Sequence, residues 1–258
     1  MKQKRKAIIL IFLLVSCLFL FSSSCGLDEY YVMDAPYVAY NIPTYSTTDF
    51  SLKYFSFRTY ESNVVEYTAS GSSFRFLGTA VYYKIYKNYS TMASANSSIS
   101  SQNSSTTYSS AAELMISDGY KQLGTSGGTI TPLVAADGTD RTILIRLTNY
   151  QSSSDYAAKI YVAGSPLEND SGTIVVPMRV GNRYTFDFGR TSKNTYNAIP
   201  TSDDSDDDVS GSFSTNYDNI YFVDMYAVAV GRDTTYTTYY SHVLHLGAVP
   251  IDTTTEDN

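Results

Sequence analysis

The sequence predicts a mainly β protein, an antiparallel β-sandwich with one inserted helix. Three observations lead there. Short runs of alternating apolar and polar residues recur along the chain, separated by Gly, Pro, Asn and Ser clusters. The 25 Tyr and 12 Phe, with abundant Thr, suit the half-buried pleated surface of strands. A helical stripe occurs once, so the strand–helix–strand rhythm of a parallel sheet is missing.

Residues 25–48 read as a tether and a first edge strand at Tyr37-Val38-Ala39-Tyr40, bracketed by Pro36 and Pro43, which cannot donate to a ladder. Residues 49–251 read as an elaborated sandwich. Phe50, Leu52 and Tyr54 alternate, then Phe55 and Phe57 take the opposite phase. A β-bulge at Tyr54-Phe55, or a strand buried on both faces, accounts for that flip. Phe76 to Tyr86 predicts a long strand with Leu77, Val81, Tyr83 and Ile85 on one face. Residues 88–110 are Ser/Asn-rich and read as a flexible insertion.

The single helix is expected over 110–124. Ser110-x-x-Glu113 spells a capping box, Ala112, Met115, Ile116, Gly119, Tyr120 and Leu123 form a stripe, and Gly124 is placed to end it. Strands are predicted at 141–149, 158–163, 173–180, 183–188, 219–231 and 239–249. Gly181-Asn182 supplies a tight turn and Pro177 marks an edge or bulge. An acidic loop covers 201–219, and the polar tail 252–258 is expected to be disordered.

Phe76 to Lys84 resembles the central C strand of the fibronectin type III and immunoglobulin-like sandwich, and Asp224 to Gly231 resembles its F strand. The resemblance places Tyr226 at the corner tyrosine, with Val228 and Val230 beneath it, and makes 239–246 the last strand. About 130 residues separate the C and F candidates, more than an ordinary module of ~100 residues holds, so one elaborated domain is expected.

The first 24 residues form a separate signal. Lys2, Lys4, Arg5 and Lys6 precede an apolar run from Ala7 to Phe21, and Ser22-Ser23-Ser24 leads to Cys25. The run is shorter than the ~20 residues of a spanning helix, which argues against an uncut anchor. This leader resembles that of bacterial lipoproteins, in which a signal peptidase cuts before a cysteine that carries a diacylglycerol and an N-acyl chain. Ser22-Ser23-Ser24-Cys25 is similar to the relaxed spirochaete box. Leu14-Val15-Ser16-Cys17 fits the usual box by letter but leaves Leu18-Phe19-Leu20-Phe21 at the mature start, so Cys25 is favoured over Cys17 as the lipidated residue. Gly26, where the enterobacterial retention signal has Asp, implies the outer membrane, with periplasmic and surface faces both open.

Removing the four basic leader residues leaves 14 basic and 25 acidic side chains in 234 residues, a net charge of −11. That balance argues against nucleic acid as a partner and against electrostatic binding to anionic lipid. With Cys17 removed and Cys25 acylated, no thiol is left for a disulfide, a zinc site or a nucleophile.

Few motifs carry chemistry. Gly124-Thr125-Ser126-Gly127-Gly128 spells a serine-hydrolase elbow, but a helix precedes it where that motif needs a strand, so Ser126 reads as loop. His242 and His245 are three apart in a strand and are expected on opposite faces, unable to share an ion. Asp206-x-Asp208-x-Ser210-Gly211 matches the start of a calcium loop, with Asp218 as a late ligand, but lacks the closing Glu and flanking helices; a solvated acidic loop is the default. No catalytic pair and no cofactor beyond the acyl chains is expected. The sequence thus points to a lipid-anchored cell-envelope protein, a non-catalytic binding or structural sandwich held on the membrane by its acyl chains, with an unknown protein or glycan as partner. The alternative is a carbohydrate-binding or carbohydrate-active surface domain, motivated by Tyr236, Tyr239 and Tyr240.

Overall fold

The computed structural model describes residues 31–61, 73–104, 106–128, 132–147, 158–180, 183–186, 188, 207–213 and 219–252. Met1–Tyr31 forms one unit and Val32–Asn258 another, and all the described elements belong to the second. In chain order its strands are β1 (Tyr37–Val38), β2 (Phe55–Arg58), β3 (Phe74–Tyr86), β4 (Lys121–Gln122), β5 (Gly124–Thr125), β6 (Val134–Ala135), β7 (Thr142–Arg146), β8 (Lys159–Val162), β9 (Ser165–Pro166), β10 (Pro177–Met178), β11 (Val209–Ser210), β12 (Ile220–Asp233) and β13 (Thr238–Asp252). Two helices, α1 (Tyr89–Asn103) and α2 (Ser110–Ser117), fall between β3 and β4.

The protein is mainly β, with antiparallel pairing nearly throughout. β10 and β5 pair by themselves, while the two larger sheets run β1-β2-β7-β8-β9 and β11-β3-β12-β13, with β4 and β6 also on β3. A main core lies between them. Phe55, Phe57, Ile143, Ile145 and Ile160 from the first sheet meet Val81, Tyr83, Ile85, Val223, Met225 and Val249 from the second. A second core lies on the other face of the second sheet, where Met92, Ile99, Ala111, Ala112 and Met115 of the helices cover Ala80, Phe222, Tyr226, Val228 and Val243. Strand β12 is therefore buried from Tyr221 to Gly231, which explains its nearly continuous apolar sequence.

The Ser/Asn-rich segment is not a flexible insertion, and among the described residues there are two α-helices, not one. Asn88 caps α1, its side chain accepting from the amides of Ser90 and Thr91 at 2.8 and 3.3 Å. The helix is poor in apolar residues, yet Met92 and Ile99 are one stripe and both are buried. Two side chains at this layer also block the open edge of β13. Asn103 exchanges hydrogen bonds with the Val243 backbone at 2.9 and 2.8 Å, and Ser109 accepts from the Tyr240 amide at 3.1 Å.

The expected helix 110–124 ends early. Its N-cap is Ser109, whose hydroxyl serves β13, and not Ser110. Gly119, at φ +90°, closes it: the amides of Gly119 and Tyr120 donate to the carbonyls of Ile116 and Met115 at 3.0 and 3.2 Å. Gly124 lies in β5 instead. Phe50–Leu52 is a 3-10 turn, not strand, capped by Asp49; strand begins only at Phe55, so no bulge is needed. Ser56, between Phe55 and Phe57, is buried as well. Of the strands expected over 173–188, Pro177–Met178 forms a short one on β5, and Arg179 and Tyr184 make an isolated bridge; the Gly181-Asn182 turn lies outside the described residues. Asp252, placed in the tail, instead pairs with Ile220. Val209–Ser210, placed in the acidic loop, adds to β3 in parallel.

The predicted face of β3 holds from Val81 onward, but Leu77 packs on the helical side. The cause is a bulge: Val230 pairs with Gly78 and Gly231 with Phe76, leaving Leu77 as the extra residue. Gly78 sits at φ +130°, and a β-carbon there would collide with the backbone of Val134 and Ala136. Gly78→Ala is expected to cost about 2–4 kcal/mol, combining backbone strain with overpacking, and to lower the midpoint of urea unfolding. An unchanged midpoint would show that the bulge relaxes freely.

Candidate functional site

Three polar constellations interrupt the apolar layers. The first lies under α1. Asp224, on the helical face of β12, is fully buried. Its carboxylate accepts from the Tyr120 hydroxyl at 2.7 Å and from Asn96 Nδ2 at 3.2 Å, and lies 2.7 Å from His245 Nε2. The hydroxyls of Tyr226 and Tyr120 donate to Asn96 Oδ1 at 3.0 and 3.2 Å, and the His245 ring packs on Tyr226. Burial, and then the Asp224 charge, push the phenols of Tyr120 and Tyr226 far above their ordinary value. Asn96 of α1 is linked to Asp224 and Tyr226 of β12 and to His245 of β13, which ties the helix to both strands.

The second constellation ties the segment after β10 to β3 and β11 of the second sheet. Arg179 and Asp208 are both fully buried and form a two-pronged pair, Nε to Oδ2 and Nη2 to Oδ1, each 2.9 Å. The Tyr83 hydroxyl donates to the same Oδ2 at 2.8 Å and accepts from the Val180 amide at 2.8 Å. The guanidinium lies 5.4 Å from the Phe188 ring centre. Burial and the Asp208 charge push the Tyr83 phenol well up.

The third is at the end of the β2–β7 pair of the first sheet. Buried Glu61 pairs with Arg141 at 2.8 Å and accepts from the amides of Asp137 and Gly138 at 2.9 and 3.0 Å. Arg141 borders two open clefts. One, of about 480 Å³, is lined by Leu133, Val162, Glu168, Asn169 and Asp170 among others. The other, of about 550 Å³, lies on the outer face of the sheet between Tyr40, Arg58, Thr142, Leu144 and Tyr161.

The strand register fixes that outer face. Phe55, Ile145 and Ile160 face the core in one row, and Phe57, Ile143 and Val162 in the next. Their neighbours point outward: Ser56, Leu144 and Tyr161 in one row, Arg58 and Thr142 in a second, Arg146 and Lys159 in a third. Tyr40 lies over the first row, its amide donating to Ser56 Oγ at 3.2 Å.

Of the residues singled out from sequence, Cys17, Cys25, Asp206 and Asp218 lie outside the described residues. Asp208 is not solvated: both its oxygens are engaged by Arg179. Ser210 is in β11, where its carbonyl accepts from the Lys87 amide at 3.1 Å. Among the described residues no group of three or more His, Cys, Asp or Glu is placed to hold a metal ion. Ser126 Oγ accepts from the Val176 amide at 3.1 Å, and the residue sits in the tight turn between Thr125 and Gly128 that follows β5.

Both histidines contact the helical side, contrary to the opposite faces expected. His245 reaches Asn96, and His242 stacks on Tyr108 with ring centres 4.6 Å apart. The strand alternation is broken at Ser241-His242, because Val228 pairs with Val243 but Val230 with Tyr240, which leaves two residues opposite Ala229. Tyr236, Tyr239 and Tyr240 do not form a flat row: Tyr236 is exposed at a turn, Tyr239 packs on Phe74, and Tyr240 packs toward the helices.

Sequence reading missed the Asp224 cluster and the outer face of the first sheet. Asp224 alone within Tyr221-Phe222-Val223-Asp224-Met225-Tyr226 was a signal, because a lone acid in a buried strand requires partners. The outer face needs the register of three strands distant in sequence. No protein family, no curated protein and no solved structure matches this chain.

Proposed function

We propose that this chain is a lipid-anchored protein of a bacterial cell envelope, a non-catalytic binding or structural module on the outer membrane. The observation that carries this reading is the leader, a basic start and a short apolar run reaching Cys25 through three serines. Two or three acyl chains on Cys25 hold a folded domain at a bilayer, each buried CH₂ contributing ~0.8 kcal/mol. The paired sheets fit the immunoglobulin and fibronectin III-like sandwich in one respect: β3, β12 and β13 are adjacent in the order C, F, G. The two helices on the far face of that sheet are an elaboration on that plan.

Metabolic labelling with a fatty-acid analogue tests the anchor. Cys25→Ala is expected to abolish the label and release the protein from membranes, whereas Cys17→Ala keeps both. Label persisting on Cys25→Ala but lost on Cys17→Ala moves the site, and label absent from the unaltered chain ends the reading.

A second reading, sugar binding at the cell surface, draws on a different observation from the tyrosines that first motivated it. Tyr40 and Tyr161 border one open cleft together with Arg58 and Thr142.

A further inference from the structure

We infer that the outer face of the first sheet is a binding site for an acidic saccharide, a pyranose bearing a carboxylate, seated between Tyr40, Tyr161 and Arg58. The inference rests on the sugar-binding reading above and does not depend on the lipid anchor. Its first support is shape. A cleft of about 550 Å³ falls within the ~300–1,000 Å³ of small-ligand sites and has a few polar groups converging on an otherwise apolar wall.

The second support is unengaged chemistry. Tyr40 is 63% exposed, although a large ring gains by burial. Among the described residues, the hydroxyls of Tyr40 and Tyr161 make no hydrogen bond and the Arg58 guanidinium makes no ion pair; Arg58 lies 5.9 Å from the Tyr37 ring centre, and Lys159 Nζ lies 5.9 Å from that of Tyr161. The rings offer apolar faces for the C–H face of a pyranose, and the guanidinium offers paired donors that match a carboxylate.

The third is charge. The mature chain has net charge −11, yet Arg58 projects into the cleft; Arg146 and Lys159 lie on the same face further along the strands, with Arg146 donating to the Phe50 and Ser51 carbonyls. The acid on the cleft wall, Asp140, accepts from the Glu61 amide at 2.7 Å. Asp140 keeps its charge on that wall and Arg141 is already paired with Glu61 at 2.8 Å, so Arg58 is the cation that meets an anion in the cleft.

The test uses the full-length protein in detergent, titrated with glucuronic acid and N-acetylneuraminic acid glycosides, with neutral glucosides, and with anionic lipid vesicles. The expected result is binding of an acidic glycoside that weakens with salt and is stronger than any neutral one. Arg58→Gln is expected to weaken it about tenfold or more, and Tyr40→Ala or Tyr161→Ala about tenfold, with melting temperature unchanged. Tyr236→Ala, at a turn away from the cleft, leaves it unaltered. Sugar binding indifferent to Arg58, Tyr40 and Tyr161 overturns this site while keeping the sugar-binding reading, and absence of binding to every glycoside overturns both. Arg58-dependent binding to vesicles but not to glycosides assigns the face to lipid and likewise overturns the proposal.

Discussion

Raising the pH above about 10 is expected to unfold this protein within about one to three pH units. Tyr83, Tyr86, Tyr120 and Tyr226 are at most 2% exposed, and each phenol is pushed above its ordinary value of 10.0, by burial first. A carboxylate adds to the effect, Asp208 at Tyr83 and Asp224 at the other three. The folded state therefore keeps protons that the unfolded state releases. Their contribution is fully present below pH 10 and is lost as pH rises toward the folded values. Each such group removes about 1.4 kcal/mol per pH unit above 10, so four remove roughly 5–6 kcal/mol per unit from a total of about 5–15 kcal/mol. Circular dichroism and phenolate absorbance should change together in one steep step. Tyr86→Phe, which loses only a 3.3 Å hydroxyl contact to Tyr120, should make that step shallower. Smooth phenolate titration with the far-ultraviolet signal retained would refute the idea.

The parts of the fold that were legible are those where one residue pattern meets one neighbour. Val81, Tyr83 and Ile85 alternate because a single core lies beneath them, and Ile143, Ile145 and Leu147 do the same from the facing sheet. Legibility failed where tertiary contact overrode local composition. Nothing local marks 89–103 as helix except the Asn88 cap and the wide spacing of Met92 and Ile99; the sheet face of Phe222 and Val228 selects that helix from outside. Gly119 and Gly124 compete as helix stops, and the nearer one wins because the Tyr120 hydroxyl is needed on Asp224. Leu77 and the two histidines lost their predicted faces to bulges, which pattern reading does not locate.

The polar sites were legible as residue types but not as pairs. Asp208 belonged to a run of acids that looks solvated, and its partner Arg179 is 29 positions away. Arg58 and Tyr161 become neighbours only through the β2-β7-β8 register, so the cleft between them exists at the level of the sheet alone.

Arg179→Ala should be the most damaging single substitution in the described chain, costing about 3–5 kcal/mol. Arg179 is the largest fully buried side chain, and its loss leaves the Asp208 carboxylate buried with the Tyr83 hydroxyl as its remaining side-chain donor. It also empties the space against Phe188 and Tyr184. The consequence is positional as well as energetic. Asp208 delivers its carbonyl to the Ile85 amide at 2.9 Å, and Ser210 does the same for Lys87, so this ion pair pins β11 to the end of β3. Hydrogen exchange at Ile85 and Lys87 should accelerate in Arg179→Ala before global unfolding does. Replacing both partners, Arg179→Met with Asp208→Leu, should recover much of the stability, because the paired charges must be desolvated together and apolar side chains of similar size avoid that cost. It should not recover the slow exchange, since β11 then lacks the partner that sets its register. If the double substitution restores exchange protection as fully as stability, packing alone holds β11, and the ion pair has no part in placing it.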